Sequence, residues 1–250
     1  MKSEKLKKQI LHLEKINALY KDKLNFSQFG EQLVINNILS RMFKNNIKFN
    51  KFYLDIGAYD PVLFSNTFNL YRLGWRGICV EPNEAKMKNW HQMRPADVVL
   101  TKAVVPDNYS DENIEMMSAN SNSAIEIVNS SLIKRSVFSR NTMKFRYLAK
   151  CIKFKDLMDQ CKNLNLEPSF LNMDIEGLEE SISIHSDLAK YRIPLLCIEH
   201  AISEFSDKLS LFEYQYSKLV NYFLKNKYYL VNVCGLSLIF CHKDFYFPFE

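Results

Sequence analysis

Five short apolar segments, each followed by acidic or polar residues, alternate with helical stretches in the centre of the chain. The segments are KFYLDIGAYDP, GICVEPN, DVVLTKAVV, SFLNMDIEG and IPLLCIEH. Continuous apolar strands separated by helices need crossover connections, and these connections produce a parallel sheet that is buried on both faces. The sequence therefore predicts a doubly wound α/β sheet with five parallel strands.

The carboxy-terminal segment has a different pattern. NKYYLVNVCG ends at Gly235 and is followed directly by LSLIFCHKDF, so two apolar strands are joined by a tight turn. A connection this short permits only antiparallel pairing. We therefore expect a seven-stranded sheet that ends in an antiparallel hairpin at its edge.

Two helices are predicted before the first strand, over residues 1–45, ahead of a single domain over 46–250. In residues 1–24, apolar side chains recur every three or four positions, which is typical of an amphipathic helix; they are Leu6, Ile10, Leu13, Ile16 and Tyr20. This helix docks on the domain, pairs with a second subunit in a homodimer, or lies on a membrane surface; Glu4, Glu14 and Asp22 interrupt its positive face and argue against the membrane. In the second helix, Ser27 is the expected cap and the expected buried face is Phe29, Leu33, Val34, Ile38, Leu39 and Met42.

Residues 106–150 interrupt this alternation. They are rich in Ser and Asn and have no clean period, which predicts a structureless insertion that acts as a lid or binding loop. Their basic residues either contact a phosphate or nucleotide-linked sugar or form a solvated face; they are Lys134, Arg135, Arg140 and Lys144.

Composition excludes several classes of protein. The 250 residues are 47% hydrophobic and 24% charged, so disorder, collagen and a disulfide miniprotein are excluded. The net charge of +5 is spread along the chain, which argues against nucleic-acid binding but leaves an anionic small substrate open. No stretch is apolar enough to span a bilayer, and the six cysteines form no CxxC pair. We expect a cytoplasmic protein with reduced thiols.

Polar residues after the predicted strands are the natural place for a site, because ligands bind beyond the carboxyl ends of strands in open α/β sheets. Asp55 and Gly57 follow the first strand, and the glycine allows a tight turn that brings backbone N–H groups near a ligand. The two further glycines of a pyrophosphate-binding GxGxxG are missing, which argues against NAD. One glycine with one acid fits S-adenosylmethionine.

A second acid, Glu81, follows the second strand 26 positions after Asp55. One strand–helix–strand unit produces this spacing, and a carboxylate there accepts hydrogen bonds from ribose hydroxyls. The alternative is a solvated charge at a strand end.

Four ionisable residues follow the fourth and fifth strands, namely Asp174, Glu176, Glu199 and His200. Oxygen and imidazole donors of this type either bind Mg²⁺ or Mn²⁺ or transfer protons without a metal. For Glu176 a third interpretation is the first turn of the next helix, where the helix dipole favours acids.

These motifs resemble the FkbM-type S-adenosylmethionine-dependent methyltransferases. The resemblance covers, in order, SQFGEQ at 27–32, YLDIGAYDPVLFSNT at 53–67, GWRGICVEPN at 74–83, RPAD at 94–97, NMDIEGLE at 172–179 and CIEH at 197–200. It implies the class I methyltransferase (Rossmann-like) fold and methyl transfer to a hydroxyl of a sugar or polyketide-like acceptor, often in surface-polysaccharide or natural-product pathways. Within that class we expect a carbohydrate or sugar-phosphate acceptor.

The resemblance also implies roles for individual residues. Asp55, Gly57 and Ala58 would line the methionine end of the cofactor and Glu81 would hold its ribose. The remaining cofactor candidates are Asn83, Lys102 and Ala103 near the nucleoside, and Ser65, Asn66 and Thr67, which either touch the cofactor carboxylate or substrate or cap a helix.

Analogy with catechol-type O-methyltransferases suggests Asp174, Glu199 and His200 as metal ligands. Without a metal, His200 or Asp174 would remove the acceptor proton, and Glu176 is a further catalytic candidate. Two other functions stay open: a catalytically inactive nucleoside-binding or assembly protein of the same fold, and a nicotinamide-dependent oxidoreductase, against which the single glycine argues.

Overall fold

The computed structural model describes residues 25–45, 47–118, 126–128, 145–200 and 217–247. The predicted helix over 1–24 and the four basic residues of the 106–150 segment lie outside these ranges. The described strands are β1 Phe52–Ile56, β2 Arg76–Val80, β3 Val98–Leu100, β4 Ala103–Val105, β5 Asn113–Ser118, β6 Glu126–Val128, β7 Phe145–Lys153, β8 Phe170–Met173, β9 Leu195–Glu199, β10 Tyr228–Cys234 and β11 Ser237–His242. The described α-helices are α1 Glu31–Lys44, α2 Phe68–Arg72, α3 Trp90–Met93, α4 Phe154–Asn163, α5 Glu179–His185 and α6 Lys218–Lys225; short 3₁₀ helices span Glu84–Asn89, Leu188–Tyr191 and Lys243–Phe245.

Seven strands form the main sheet, in the order β10-β11-β9-β8-β1-β2-β3. β1 pairs in parallel with β2 and β8, β2 with β3, and β8 with β9. β11 is antiparallel to both β9 and β10. The predicted parallel sheet with a carboxy-terminal antiparallel hairpin is therefore confirmed.

Helices cover both faces of this sheet. On one face, Ile35 of α1 and Trp90 of α3 belong to the same buried cluster as Tyr53 of β1. On the other, Leu157 of α4 and Phe223 of α6 share a cluster with strand residues such as Leu54. Alternate β1 residues thus face opposite cores, as they must in a sheet buried on both sides. The architecture is a mixed α/β fold with a seven-stranded, mostly parallel sheet, and it is compatible with a Rossmann-like fold.

The 106–150 segment differs from its prediction. β5, β6 and most of β7 lie within it, and together with β4 they form a second sheet in the order β4-β7-β5-β6. In β5, Ile114 and Met116 are buried at two-residue spacing, a strand pattern that the surrounding Ser and Asn residues concealed. The interpretation as a structureless insertion is wrong for these strands, whereas the lid role remains a prediction.

Helix α1 also differs in its boundaries and buried face. It begins at Glu31 after Gly30, which has a left-handed φ of 91°, and the Ser27 hydroxyl accepts the N–H of Gln32 at 3.2 Å. Phe29 and Leu33 were expected to be buried but are 48% and 59% exposed. Two polar residues, Glu31 and Gln32, are buried instead because each has a hydrogen-bond partner inside. No helix in the described ranges has the length and apolar character needed to cross a bilayer.

Candidate functional site

Gly57 forms the turn after β1, with a φ of +78°. A Cβ atom at this position would lie 1.6 Å from the Asp174 carbonyl oxygen, so only glycine lets the β1 turn approach the end of β8 this closely. The N–H groups of Gly57 and Ala58 both donate to the Val80 carbonyl, at 2.9 and 3.1 Å. These groups, which we expected near a ligand, instead tie the end of β1 to β2.

Asp55 lies beneath this turn and is 2% exposed. One carboxylate oxygen accepts the side-chain amide of Asn172 at 2.9 Å, and the other accepts the Thr67 hydroxyl. Burial raises the pKa of Asp55, while the charge of Arg94 lowers it. Asp55 therefore lies at the predicted position, where two hydrogen bonds and the charge of Arg94 stabilise its carboxylate.

Arg94 and Asp97 complete this network, and sequence reasoning assigned them no role. Both side chains are fully buried, and Arg94 Nε donates to Asp97 Oδ2 at 2.7 Å. Arg94 also donates to the Tyr53 hydroxyl at 2.7 Å and to Thr67 Oγ1 at 3.0 Å. RPAD at 94–97 was one of the segments that carry the family resemblance, but an Arg and an Asp three positions apart also pair on exposed helix surfaces, so the spacing did not indicate burial.

Glu81 lies at the end of β2, as predicted, and is 3% exposed. Its carboxylate accepts the backbone N–H groups of Tyr59 at 3.0 Å and of Asn83 at 2.9 Å. Lys86 Nζ lies 3.5 Å from Glu81 Oε1. Asn83 is also buried, and its side-chain oxygen accepts the N–H of Ala85 at 3.0 Å. Glu81 thus lies at the predicted strand end and holds the loops after β1 and β2.

Ser65 and Asn66 precede α2 and are buried. The Ser65 hydroxyl accepts the N–H of Phe68 at 3.0 Å, as in the capping alternative. Asn66 donates its amide to the Asn172 side-chain oxygen at 2.9 Å, while its own side-chain oxygen has no hydrogen-bond partner. Asn66 therefore joins the Asp55 network through Asn172.

Lys102 and Ala103 line a narrow crevice together with Gly57, Pro82 and Ile175. Lys102 lies between β3 and β4, and Ala103 is the first residue of β4. The second strand of the DVVLTKAVV segment has therefore left the main sheet, yet it still borders the turn after β1. Of the predicted cofactor residues, Gly57 from the methionine end and Lys102 and Ala103 from the nucleoside end line this crevice.

Three carboxylates meet where β8 and β9 end. One oxygen each of Asp174, Glu176 and Glu199 lies within 4.8 Å of the others. Asp174 and Glu199 share a hydrogen bond. Burial, reinforced by the charge of Asp174, raises the pKa of Glu176 to about 8 and that of Glu199 to about 12. At neutral pH this acidic cluster, as we call these three residues, holds protons.

His200 lies outside the acidic cluster, although it directly follows Glu199. Its Nε2 atom forms a hydrogen bond with the Ser217 hydroxyl at 2.8 Å. Burial lowers the pKa of His200 to about 4, so the imidazole is neutral at pH 7. The structure thus brings Asp174 and Glu199 together with Glu176 rather than with His200.

Two further carboxylates, Glu179 and Glu31, support the cluster. Glu179 accepts the N–H groups of Ile175 and Gly177, at 2.7 and 2.9 Å, and thereby fixes the loop that carries Glu176. Glu31 is 2% exposed and accepts the Ser237 hydroxyl at 3.0 Å. Burial raises the pKa of Asp174, and the charges of Asp55 and Glu31 raise it further. Sequence reasoning missed Glu31, because an acid in the first turn of a helix is normally explained by the helix dipole.

The arrangement has two chemical capacities. Carboxylates with raised pKa values can accept and release protons near neutral pH. Three converging carboxylates also provide the oxygen ligands that Mg²⁺ and Mn²⁺ prefer. Comparisons of the chain with protein-family models, curated proteins and solved structures found no match.

Proposed function

We propose that the chain is an S-adenosylmethionine-dependent O-methyltransferase of class I fold and FkbM type. The observation that carries the proposal is the sheet order, with antiparallel β11 inserted between β9 and β10. The dinucleotide-binding sheet has six strands in the order 3-2-1-4-5-6. A reversed strand at this edge, combined with a single glycine after β1, favours the methyltransferase.

The proposed cofactor site runs along the ends of β1 and β2. Gly57 and Ala58 form its floor near the methionine end, and Glu81 provides carboxylate oxygens for the ribose. Lys102 and Ala103 border the nucleoside end of the same crevice. This is the switch point of the sheet, since the chain proceeds from β1 to β2 on one side and places β8 on the other.

The acidic cluster is the proposed site of chemistry. Methyl transfer to a hydroxyl requires removal of its proton as the new bond forms, and S-adenosylmethionine supplies the methyl group when bound. Glu176 fits the role of general base because its pKa of about 8 lies close to neutral pH. The ionised carboxylate, which accepts the proton, becomes more populated as the pH rises towards 8. Asp174 and Glu199 share a proton beside it and orient the acceptor hydroxyl. His200 is a weaker base, since its Nε2 is bonded to Ser217 and its pKa is low.

A divalent cation fits the same residues. Asp174, Glu176 and Glu199 offer three oxygen ligands within 4.8 Å of one another. Mg²⁺ or Mn²⁺ held there would lower the pKa of an acceptor hydroxyl. The metal-dependent and the metal-free routes thus use the same three side chains.

The proposed acceptor is a small carbohydrate or sugar-phosphate intermediate of surface-polysaccharide synthesis in the cytoplasm. This acceptor class rests on the FkbM resemblance. The six cysteines are all free thiols, which agrees with a reducing compartment.

One observation favours the second candidate, an inactive nucleoside-binding or assembly protein. Asp55 and Glu81, the two acids assigned to the cofactor, are both engaged in hydrogen bonds within the chain. Buried carboxylates with such partners also occur as purely structural elements.

Calorimetric titration with S-adenosylhomocysteine separates these candidates. We expect micromolar binding by the full chain, and we would repeat the titration with EDTA and with added Mg²⁺ or Mn²⁺. Methyl transfer to sugar acceptors would then be measured for the wild type and for Glu176→Gln. Binding without turnover would support the inactive protein, and the absence of binding under all conditions would contradict the cofactor site.

A further inference from the structure

The connection between β1 and α2 contains two aromatic residues in a sterically unfavourable backbone conformation. Tyr59 has a φ of 47° and Phe64 a φ of 57°. Both values lie in the left-handed region, where a bulky side chain crowds the following carbonyl group. Backbone strain of this kind persists only where the surrounding structure enforces it, and it concentrates at ligand-binding sites. The connection is therefore a candidate binding element.

The two strained residues bring their rings together in a stack. The ring centroids of Tyr59 and Phe64 are 6.4 Å apart, and the ring planes are inclined by 18°. Asp60 braces the chain between them, because its Oδ1 atom accepts the N–H groups of Val62 and Leu63 at 2.8 and 2.7 Å. The Phe64 side chain is nevertheless 45% exposed. The outer ring of the stack is thus fixed in place and open to a ligand.

This aromatic pair lies beside the residues of the proposed site. The N–H of Tyr59 donates to the Glu81 carboxylate at 3.0 Å. Lys86 Nζ lies 4.8 Å from the centre of the Tyr59 ring and 3.5 Å from Glu81 Oε1. Burial raises the pKa of Glu176 and the charge of Lys86 lowers it, so Lys86 is also near the acidic cluster. The pair therefore borders the edge of the sheet at which open α/β folds bind their ligands.

The chemistry of the pair and its neighbours favours a sugar over an apolar peptide. The face of an aromatic ring is electron-rich and attracts the C–H groups on one side of a pyranose ring. Sugar hydroxyls can exchange hydrogen bonds with carboxyl groups in either protonation state, whereas an apolar side chain offers the neighbouring acids no partner.

We propose that Phe64, backed by Tyr59, is the platform on which a sugar ring of the acceptor stacks. The proposal rests on the methyltransferase function proposed above and deepens it, because it gives the carbohydrate a binding surface beside the acidic cluster. Phe64 would then determine specificity for the acceptor and would not take part in the proton transfer.

Saturation-transfer NMR on the full chain tests the platform, with methyl hexopyranosides and hexose 1-phosphates as probes. We expect saturation to be strongest at the C–H groups of one ring face. Phe64→Gly should weaken sugar binding by at least about tenfold. The variant should fold, because glycine adopts a positive φ without strain and the Phe64 ring is partly exposed. Phe64→Trp keeps an aromatic face and should retain binding.

Leu63→Gly is the matched control. Leu63 precedes Phe64 in the same connection and is 43% exposed, but it has no ring. This variant should bind the sugar probes as the wild type does. Absence of saturation of every probe in the wild type, or equal losses in the two glycine variants, would overturn the platform.

Titration of the same variants with S-adenosylhomocysteine separates the platform from the cofactor proposal. Phe64→Gly should bind S-adenosylhomocysteine with wild-type affinity, because its side chain contacts the acceptor only. An equal loss of sugar and S-adenosylhomocysteine affinity would overturn the platform and assign Phe64 to the structure of the whole site. Sugar binding that depends on Phe64, in a chain that binds no S-adenosylhomocysteine, would support the platform and contradict the cofactor site.

Discussion

Two groups of carboxylates lie at neighbouring strand ends and differ in what surrounds them. Beneath β1 and β2, Asp55 and Asp97 flank the guanidinium of Arg94, which pairs directly with Asp97 and reaches Asp55 through Thr67. At the ends of β8 and β9, the acidic cluster brings three carboxylates together, and the pKa of Glu176 is raised even though the charge of Lys86 lowers it.

The difference assigns a structural role to the Arg94 network and leaves the acidic cluster as the proposed site of chemistry. In the Arg94 network each buried acid is compensated by a cation or by donated hydrogen bonds, so the network stabilises the ends of the strands. In the acidic cluster, like charges and burial keep protons bound, and this arrangement costs folding free energy. Perturbed carboxylates of that kind concentrate at functional sites. The comparison therefore predicts opposite responses to mutation.

The largest expected loss of stability follows removal of the central cation. Arg94→Met leaves Asp97 and Asp55 buried without a counter-charge, and we expect the free energy of unfolding to fall by about 3–5 kcal/mol. Urea denaturation measures it. Arg146→Met is the control: its ion pair with Glu115 is long, at 3.9 Å, and exposed, so a change below about 1 kcal/mol is expected. Equal losses of stability in the two variants would show that the buried Arg94 network stabilises the fold no more than an exposed ion pair does.

Gly57→Ala should have the second largest effect. A methyl group there overlaps the Asp174 carbonyl oxygen and forces a side chain into a positive φ, so we expect a loss of about 2–4 kcal/mol. Gly74→Ala is a matched control, because Gly74 has a φ of +86° but nothing within 4 Å of the added carbon. It should cost only about 1–2 kcal/mol in thermal or urea denaturation. If both variants lose the same amount, the close approach to β8 is not what requires glycine.

Glu81→Ala should reduce both stability and cofactor affinity. The change leaves the N–H groups of Tyr59 and Asn83 without their acceptor, at a cost of about 1–3 kcal/mol. Calorimetry with S-adenosylhomocysteine should show weaker binding at a temperature where the variant is folded. Glu84→Ala, which changes an exposed acid three positions later, should affect neither. Unchanged affinity in the Glu81 variant would remove the ribose role and leave only the structural one.

The main sheet was predictable because its signal is local. Each of its parallel strands is a short apolar run, and Gly235 marks the hairpin turn between β10 and β11. The second sheet was missed because most residues of β7, and the first and third residues of β5, are exposed or half-buried within a Ser- and Asn-rich segment. Apolar content identifies strands buried on both faces more easily than strands buried on one.

The site was predictable only in part. Asp174, Glu176 and Glu199 could be identified because parallel strands end at the same edge of a sheet. The burial of Arg94 and Glu31 was not predictable, since each depends on partners far away in sequence, such as Tyr53 for Arg94 and Ser237 for Glu31. The environment of His200 likewise depends on Ser217, from the other end of a long connection.

The smallest change in stability is expected for Glu199→Gln, and it tests the comparison most sharply. The pKa of Glu199 is raised from 4.5 to about 12, so at pH 7 the side chain is already neutral and the amide changes no charge. We therefore expect the free energy of unfolding to change by less than about 1 kcal/mol, whereas Asp55→Asn should cost about 1–3 kcal/mol by disturbing a satisfied network.

Although Glu199→Gln should hardly change the stability, it should greatly reduce the activity. An amide cannot exchange a proton with Asp174, so turnover in Glu199→Gln should fall by about 10²–10⁴-fold while S-adenosylhomocysteine still binds. Urea denaturation, calorimetry and a methyl-transfer assay on the same preparation give the three values. A variant that loses several kcal/mol of stability and keeps its turnover would place Glu199 in the scaffold. Glu199→Gln is expected to keep the stability and lose turnover, whereas Asp55→Asn is expected to lose stability, so the pair distinguishes a strand-end acid kept for structure from one kept for chemistry.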